Sequence, residues 1–471
     1  MTPRSIAVYY NASLSSAITA IGTDVVSLLI DEDVTLRANT TVPDNITLEL
    51  ANGKKIIANG YSLTFTGIGI QCVPTTQIFS GFTFDKLLWS NASPELYLEW
   101  FGGKADNSTD NASAFTLAVK LLSVSKANGR RGGVIRFVGG VYKFATAIDV
   151  SQSAYNIRFE GNGTKPVSFG SDTDTTLLFT GTGSGRAFDL RSCSGLYFNN
   201  IGVCYNSASF TGTLLDCSMI VSGPKAIQFT NCLLGSTFLP NSTPQVTAGC
   251  ILNLSSAYDC QVSQCVIIGG LIGIRLNPTA SPQDGNIITI EKNEFSHCLT
   301  AGIMNPHQQA NIVNNNFEGT NTVSAVGGGL PYAVSYDYPD PANAVIFGLK
   351  ISGNWFGDRT TFGKAYIRLP RTKGADISGN FFGGGYNNAT DFNSAAIEIY
   401  HGSTAHISGN CFGGGMHCVK FTLADGGNSI AFHGNSTQYA EAAEVNPNNG
   451  ALGQKFFNSH VGDTLSTLGS N

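Results

Sequence analysis

Ile351-Ser-Gly-Asn-Trp-Phe356 is followed by Ile377-Ser-Gly-Asn-Phe-Phe382 and Ile407-Ser-Gly-Asn-Cys-Phe412, and preceded by Ile290-Glu-Lys-Asn-Glu-Phe295 and Ile312-Val-Asn-Asn-Asn-Phe317. The leading isoleucines of these five copies lie 22, 39, 26 and 30 residues apart. Looser copies anchored at Phe159, Phe198, Phe229, Val262 and Phe432 extend the series, each with an Asn or Gln two or three places on. A second motif of apolar, outward, apolar type begins 10 to 16 residues before an anchor: Phe188-Asp-Leu190, Leu252-Asn-Leu254, Ile274-Arg-Leu276, Ile367-Arg-Leu369 and Ile397-Glu-Ile399. Short strands at this period cannot bury their apolar faces alone, whereas stacked coils bury them in one continuous core. The pattern predicts an all-β fold, a right-handed parallel β-helix with two short strands per coil. Asn suits its turns, because it tolerates the left-handed conformation and its amide can pair with those of the coils above and below. Leucine-rich repeats need leucine at every anchor and propellers need four strands per period, so neither fits.

Composition narrows the function classes. Of 471 residues 55 are Gly and only 13% are charged, which excludes a coiled coil, a long-helix bundle and a charged disordered chain. The 42% of hydrophobic residues are broken up everywhere, with no run near the roughly 18 that span a bilayer, so membrane insertion is not expected. The net charge of −5, from 32 acidic and 27 basic residues with no basic block, argues against a nucleic-acid partner. Eleven Cys follow no Cys-x-x-Cys or Cys/His metal spacing, so buried free thiols are expected, with no metal and no cofactor. The stretch Met1 to Asn11 has no secretory-signal pattern, which fits assembly in a reducing cytoplasm. No Ser-His-Asp order, phosphate-binding glycine loop or His-Glu-x-x-His motif is present.

Upstream of the repeats, Asp110 to Lys126 places Phe115, Ala118, Val119 and Leu122 at helical spacing, with Asp110 as N-cap and Gly129 as stop. Gly133-Val-Ile-Arg-Phe-Val138 reads as a strand. A helix here covers the exposed end of a solenoid. The expected organisation is an N-terminal β-rich segment over 1–98, a linker and capping α-helix over 99–132, the parallel β-helix over 133–440 and a tail over 441–471.

Trp100-Phe-Gly-Gly-Lys-Ala-Asp-Asn-Ser-Thr-Asp110, the helix, and Gly132-Gly-Val-Ile-Arg-Phe-Val-Gly-Gly-Val-Tyr142 together resemble the opening of pectate-lyase-like β-helix proteins, a group that includes bacteriophage tailspikes. Gly103, Ala105 and Asn107 depart from the usual Phe-Gly-Ala-Lys-Gly-Asp-Gly of that opening. The resemblance implies a homotrimer that binds and cleaves a bacterial surface polysaccharide, capsule or O-antigen, made in the host bacterial cytoplasm and carried on the virion tail.

On a β-helix each strand position forms a column, with coils about 4.8 Å apart and alternate residues of one strand about 6.7 Å apart. The column four places after the anchor reads Glu294, Asn316, Trp355, Phe381, Cys411, and Glu318, Asp358 and Arg359 follow shortly after it. Glu294, Glu318 and Asp358 then fall on successive coils of one face, as the paired carboxylates of glycoside hydrolysis require. Trp355 and Phe381 are candidate sugar platforms. Glu318 and Asp358 are the first catalytic candidates and Glu294 the reserve, with Arg359 binding substrate. Tyr336 and Tyr338, in the 39-residue interval, are candidates to overhang the face. A single carboxylate on a solvent face reads more often as ordinary solvated surface than as a catalytic group, and Trp355 reads equally as packing under the long loop or against a neighbouring subunit. Two further columns compete. Arg275, Arg368, Glu398 and Lys420 read as a cross-strand charge ladder. Lys350, Asp376 and His406 would suit base-catalysed β-elimination, so a lyase, an epimerase and a non-catalytic glycan-binding adhesin stand as alternatives to a hydrolase.

Overall fold

The computed structural model describes residues 4–125, 129, 131–163, 174–220, 225–237, 247–277, 286–306, 308–318, 332–338, 344–357, 365–383, 395–400, 403–413, 417–422, 429–438, 445–446 and 455–456. The chain divides into two units, Met1–Asn253 with Gln264–Val266, and Leu254–Ser263 with Ile267–Asn471. Strands pair in parallel in both, and each coil contributes one strand to each of three sheets, so the parallel β-helix expected from the repeats is the fold.

There are three strands per coil, not two, and the hexapeptide shows why. Its leading Ile and its closing Phe both point inward but lie on different sheets, separated by a turn at the third and fourth residues. Ile351 is in the strand Lys350–Ser352 and Phe356 in Trp355–Phe356. The sheets are called here the anchor face, the second face that begins right after the turn, and the third face formed by the apolar-outward-apolar motif.

In the first unit the anchors Leu96, Ile135, Phe159, Phe198 and Phe229 succeed one another in register. Leu96 and Ile135 extend the column upstream of the repeats read in the sequence. The capping helix runs over Ala112–Ser123. Asn111 takes the N-cap position, and its side chain ties the backbones of Lys104, Thr109 and Lys143 together. Asp110, the expected cap, accepts from Ala112 N instead. The helix ends in an extended Val124, ahead of Gly129. Its apolar face is buried as the spacing predicts, and Phe115 lies against Phe159 at 5.6 Å between centroids while meeting Phe144 and Phe188 edge-on. Burying one such ring contributes roughly 1.5–3 kcal/mol.

The N-terminal segment is more than β-rich. Val26–Ile30, Ile46–Leu50 and Ile70–Gln71 pair in one small sheet, Thr40–Val42, Leu63–Phe65 and Leu87–Trp89 in a second, and Val34–Thr35, Ile56–Ile57 and Phe79–Ser80 in a third. These strands build a short three-sided β-helix of their own. Helices Ile6–Tyr10 and Leu14–Ile21 precede its first full coil.

In the second unit Val262, Ile290, Ile312, Ile351, Ile377, Ile407 and Phe432 form one anchor column. Phe295, Phe317, Phe356, Phe382 and Phe412 stack behind the second face with centroids 4.7 to 5.1 Å apart. Between them runs an amide ladder. Asn293, Asn315, Asn354, Asn380 and Asn410 are buried, and each Nδ2 donates at 2.9–3.0 Å to Oδ1 of the next, ending at Asn435. The second Nδ2 hydrogen goes to the anchor carbonyl of the preceding coil, as from Asn380 to Ile351 O. The left-handed conformation expected of these asparagines belongs to the residue before each: Lys292, Asn314, Gly353, Gly379, Gly409 and Gly434. In the first unit the two roles separate differently. Asn200 and Asn231 hold the left-handed turn, while the inward position after them carries Ile201 and Cys232, and Cys232 Sγ donates to Phe198 O.

The ten cysteines whose side chains are described are free, and eight of them are buried. No helix there is long and apolar enough to cross a membrane.

Candidate functional site

The second face of the second unit carries the outward column in the expected register: Glu294 opposite Asn316, then Trp355, Phe381, Cys411 and Ser436. Strand alternation produces it, since Phe295, Phe317, Phe356, Phe382 and Phe412 point inward from the next position. Trp355 and Phe381 are outward, 38% and 37% exposed, with ring planes 4° apart and centroids 6.4 Å apart. The indole folds along its own strand over Gly357, where any Cβ would lie 2.2 Å from the ring. Glycine at 357 therefore leaves the space that the platform occupies.

Glu294 is exposed and opens the strand Glu294–Ser296. Glu318 closes the strand Asn316–Glu318, and its Cα is paired with Ser296. The two acids thus stand on adjacent coils, offset by two residues along the strand. Asp358 and Arg359 lie outside the described residues, as does the side chain of Glu318. His297, next along this face, meets Ser296 Oγ at 2.6 Å through Nδ1, and burial holds its pKa below the ordinary value.

Tyr336 and Tyr338 do not overhang the column. The interval that contains them includes a third-face strand, Tyr332–Ser335, whose Val334 pairs with Ile303 and Ile367. Tyr336 and Tyr338 are 6% and 5% exposed, stack at 6.2 Å and close over Ala344. The Arg368 guanidinium lies 4.6 Å from the Tyr336 ring centroid. Interval length signals an excursion of the chain but not the face it turns to, and aromatic rings followed by a strand register turn it inward.

The competing columns are also assembled. Arg368, Glu398 and Lys420 are in register, with Arg368 and Glu398 at 3.8 Å, as a charge ladder requires. Arg275 pairs with Asp337 at 2.9 Å, a partner that the sequence columns did not include. Lys350, Asp376 and His406 share a register on the anchor face. His406 there meets a residue absent from the sequence reading, His433, with Nε2 atoms 2.6 Å apart. His433 sits one column over from His406, so reading single columns passes it by.

No protein-family model and no curated protein sequence matches the chain. Among solved structures it is similar to ORF18 of Geobacillus virus E2, at 14% identity and TM-score 0.41 over 77% of this chain and 60% of that one. It is also similar to PfbA, a surface adhesin of Streptococcus pneumoniae, at 15% identity and TM-score 0.41 over 73% of this chain and 91% of that one. A third is DFA-IIIase from Arthrobacter chlorophenolicus A6, at 12% identity and TM-score 0.46 over 74% of this chain and 88% of that one. The chain thus spans 60% of the length of the viral protein.

Proposed function

We propose that the protein binds a bacterial surface polysaccharide along the second face of the second unit and hydrolyses it, as a tailspike-type depolymerase. The observation that carries this reading is the Trp355–Phe381 pair, two parallel rings left open to solvent on adjacent coils. Large aromatics in that state are platforms for the apolar faces of sugar rings. Glu318 supplies one carboxylate, with Asp358 its first partner and Glu294 the reserve, and Arg359 binds substrate beside them. The one pair whose backbone positions are described, Glu294 and Glu318, is one coil and two residues apart, or about 8 Å between Cα atoms at the usual β spacings. Backbone positions on adjacent coils at that spacing let two outward carboxyl groups reach the separations that a hydrolase's acid and base need. Assembly as a homotrimer on a virion tail belongs to the same proposal and rests on the resemblance of residues 100–142.

The test is incubation of the purified protein with a panel of capsular and O-antigen polysaccharides, following chain length, new reducing ends and absorbance of unsaturated uronates. Shortening with reducing ends and no absorbance, lost in Glu318→Gln and Asp358→Asn, supports hydrolysis. Rising absorbance replaces it with a lyase, and binding without shortening replaces it with an adhesin.

A further inference from the structure

We infer that His406 and His433 form a surface site for a divalent transition-metal ion of the Zn2+ class, backed by Asp376, that ties two successive coils of the anchor face together. The imidazoles come from the neighbouring strands Thr404–Ser408 and Ser429–His433. Their Nε2 atoms converge to 2.6 Å, with ring centroids 4.7 Å apart and planes tilted by 50°. This is shorter than the roughly 2.9 Å usual for a hydrogen bond from nitrogen. On the far side of His406, Nδ1 faces Asp376 Oδ1 at 3.5 Å, and that oxygen is shielded from solvent without a hydrogen-bond partner.

Two imidazole nitrogens aimed at one point, with a carboxylate behind one ring, is the arrangement by which proteins hold a metal-ligating histidine in its tautomer. Imidazole favours zinc, copper and nickel over the hard cations. Two Zn–N bonds of about 2.0–2.1 Å at a tetrahedral angle place the nitrogens about 3.3 Å apart, so the rings need part by only about 0.7 Å. His406 has the freedom to do this, its side chain being 47% exposed. A small turn of its ring also brings Nδ1–H within reach of the orphaned Asp376 oxygen. Among the described residues no three His, Cys, Asp or Glu side chains surround a common point, so the remaining positions on the ion fall to water. The nearest cation in the same column is Lys350, one coil beyond Asp376. An ion that binds these two coils only when they are stacked stabilises the folded state by mass action.

The experiment uses the untagged full chain, stripped with chelator and titrated with ZnCl2 by calorimetry, with Cu2+ as a spectroscopic probe by electron paramagnetic resonance. One zinc per chain is expected, with nitrogen hyperfine structure from two imidazoles on copper. His406→Gln and His433→Gln each abolish binding, and Asp376→Asn weakens it about 10- to 100-fold, as loss of a carboxylate behind a ligand does. Thermal unfolding of the wild type shifts upward with zinc and returns with EDTA, whereas His433→Gln shows no shift. Zinc binding by the His406→Gln/His433→Gln double variant equal to wild type overturns the site. So does a wild type that binds none, which would leave a proton shared between the two rings. Wild-type affinity in Asp376→Asn overturns the role of the carboxylate. None of these readouts depends on cleavage of a polysaccharide.

Discussion

Replacing Asn380 by alanine removes one rung from the middle of the amide ladder, and its cost follows from the bonds around it. Nδ2 of Asn380 donates to Ile351 O at 3.0 Å and to Asn410 Oδ1 at 2.9 Å. Its Oδ1 accepts from Asn354 N and Asn354 Nδ2, both at 3.0 Å. All four are lost in the variant, and the Asn354 N–H is left buried without that acceptor. At about 0.5–1.5 kcal/mol net per bond, or about 2–6 kcal/mol for the four, plus about 1–3 kcal/mol for the stranded donor, the total is about 3–9 kcal/mol. For a unit of this size that is a fall of about 6–18 °C in melting temperature, at roughly 2 °C per kcal/mol. Asn293→Cys provides the contrast. It sits at the start of the ladder, and a thiol there can donate to Val262 O as Cys232 does to Phe198 O, so it should cost about 1 kcal/mol. Asn380→Asp keeps the shape but sets an oxygen against two acceptors, and is expected to be at least as harmful as alanine. Thermal unfolding by circular dichroism, with amide exchange localising the loss to the neighbouring coils, measures all three. An Asn380→Ala melting point within 2 °C of wild type, or equal losses for Asn380→Ala and Asn293→Cys, would refute the reasoning.

Three further outcomes are expected. Gly357→Ala drives a methyl into the Trp355 indole, so retention on immobilised polysaccharide should fall as far as in Trp355→Ala while the far-ultraviolet spectrum is unchanged; retained binding would detach Trp355 from the site. Glu99 is buried beneath Tyr142, and burial outweighs the tyrosine hydrogen bond to push its carboxyl above the ordinary 4.5. The folded state therefore holds that proton more tightly than the unfolded chain does, and stability declines as pH rises from about 4.5 through the raised value. Glu99→Gln should accordingly raise the melting temperature more at pH 7 than at pH 4, and an equal shift at both would contradict the burial effect. Ile287 is a half-exposed β-branched residue at φ 54°, where equivalent positions carry Asn156, Asp259 and Gly348. Ile287→Asn should gain about 1 kcal/mol in denaturant unfolding, from relief of a left-handed strain of 1–2 kcal/mol; a loss would show that the isoleucine earns its place by packing.

The anchor column was legible because Ile-x-x-Asn-x-Phe repeats its chemistry as well as its period, and register follows from five near-identical turns. The outward column came with it, since alternation fixes Trp355 and Phe381 once Phe356 and Phe382 are inward. The third strand of each coil was hidden for the same reason. A turn of only two residues, such as Gly353-Asn354, lets one hexapeptide read as one element. The N-terminal coils carry no recurrent Asn, and strands of two or three residues such as Ile56–Ile57 give too little alternation to align. Tyr336 and Tyr338 show a different limit, because burial of an aromatic in a long interval is decided by partners such as Arg368 that are remote in sequence. The helix spacing around Phe115 was sufficient for its buried face but not for its cap, because Asn111 acts through the distant carbonyl of Lys143.

The polarity of the amide ladder has a consequence for how such a chain can change length. Every interior rung presents the same acceptor to the coil before it and the same donors to the coil after it, whatever loop separates them. Asn354 and Asn380 are 26 residues apart, so excising one such period would bring the donors of Asn315 to the acceptor of Asn380 across an identical seam. The loops bear the differences between coils, and the seam bears none. Whole turns are therefore interchangeable parts: the solenoid can be shortened or extended by splicing at the asparagines, with outward-facing side chains gained or lost one row at a time.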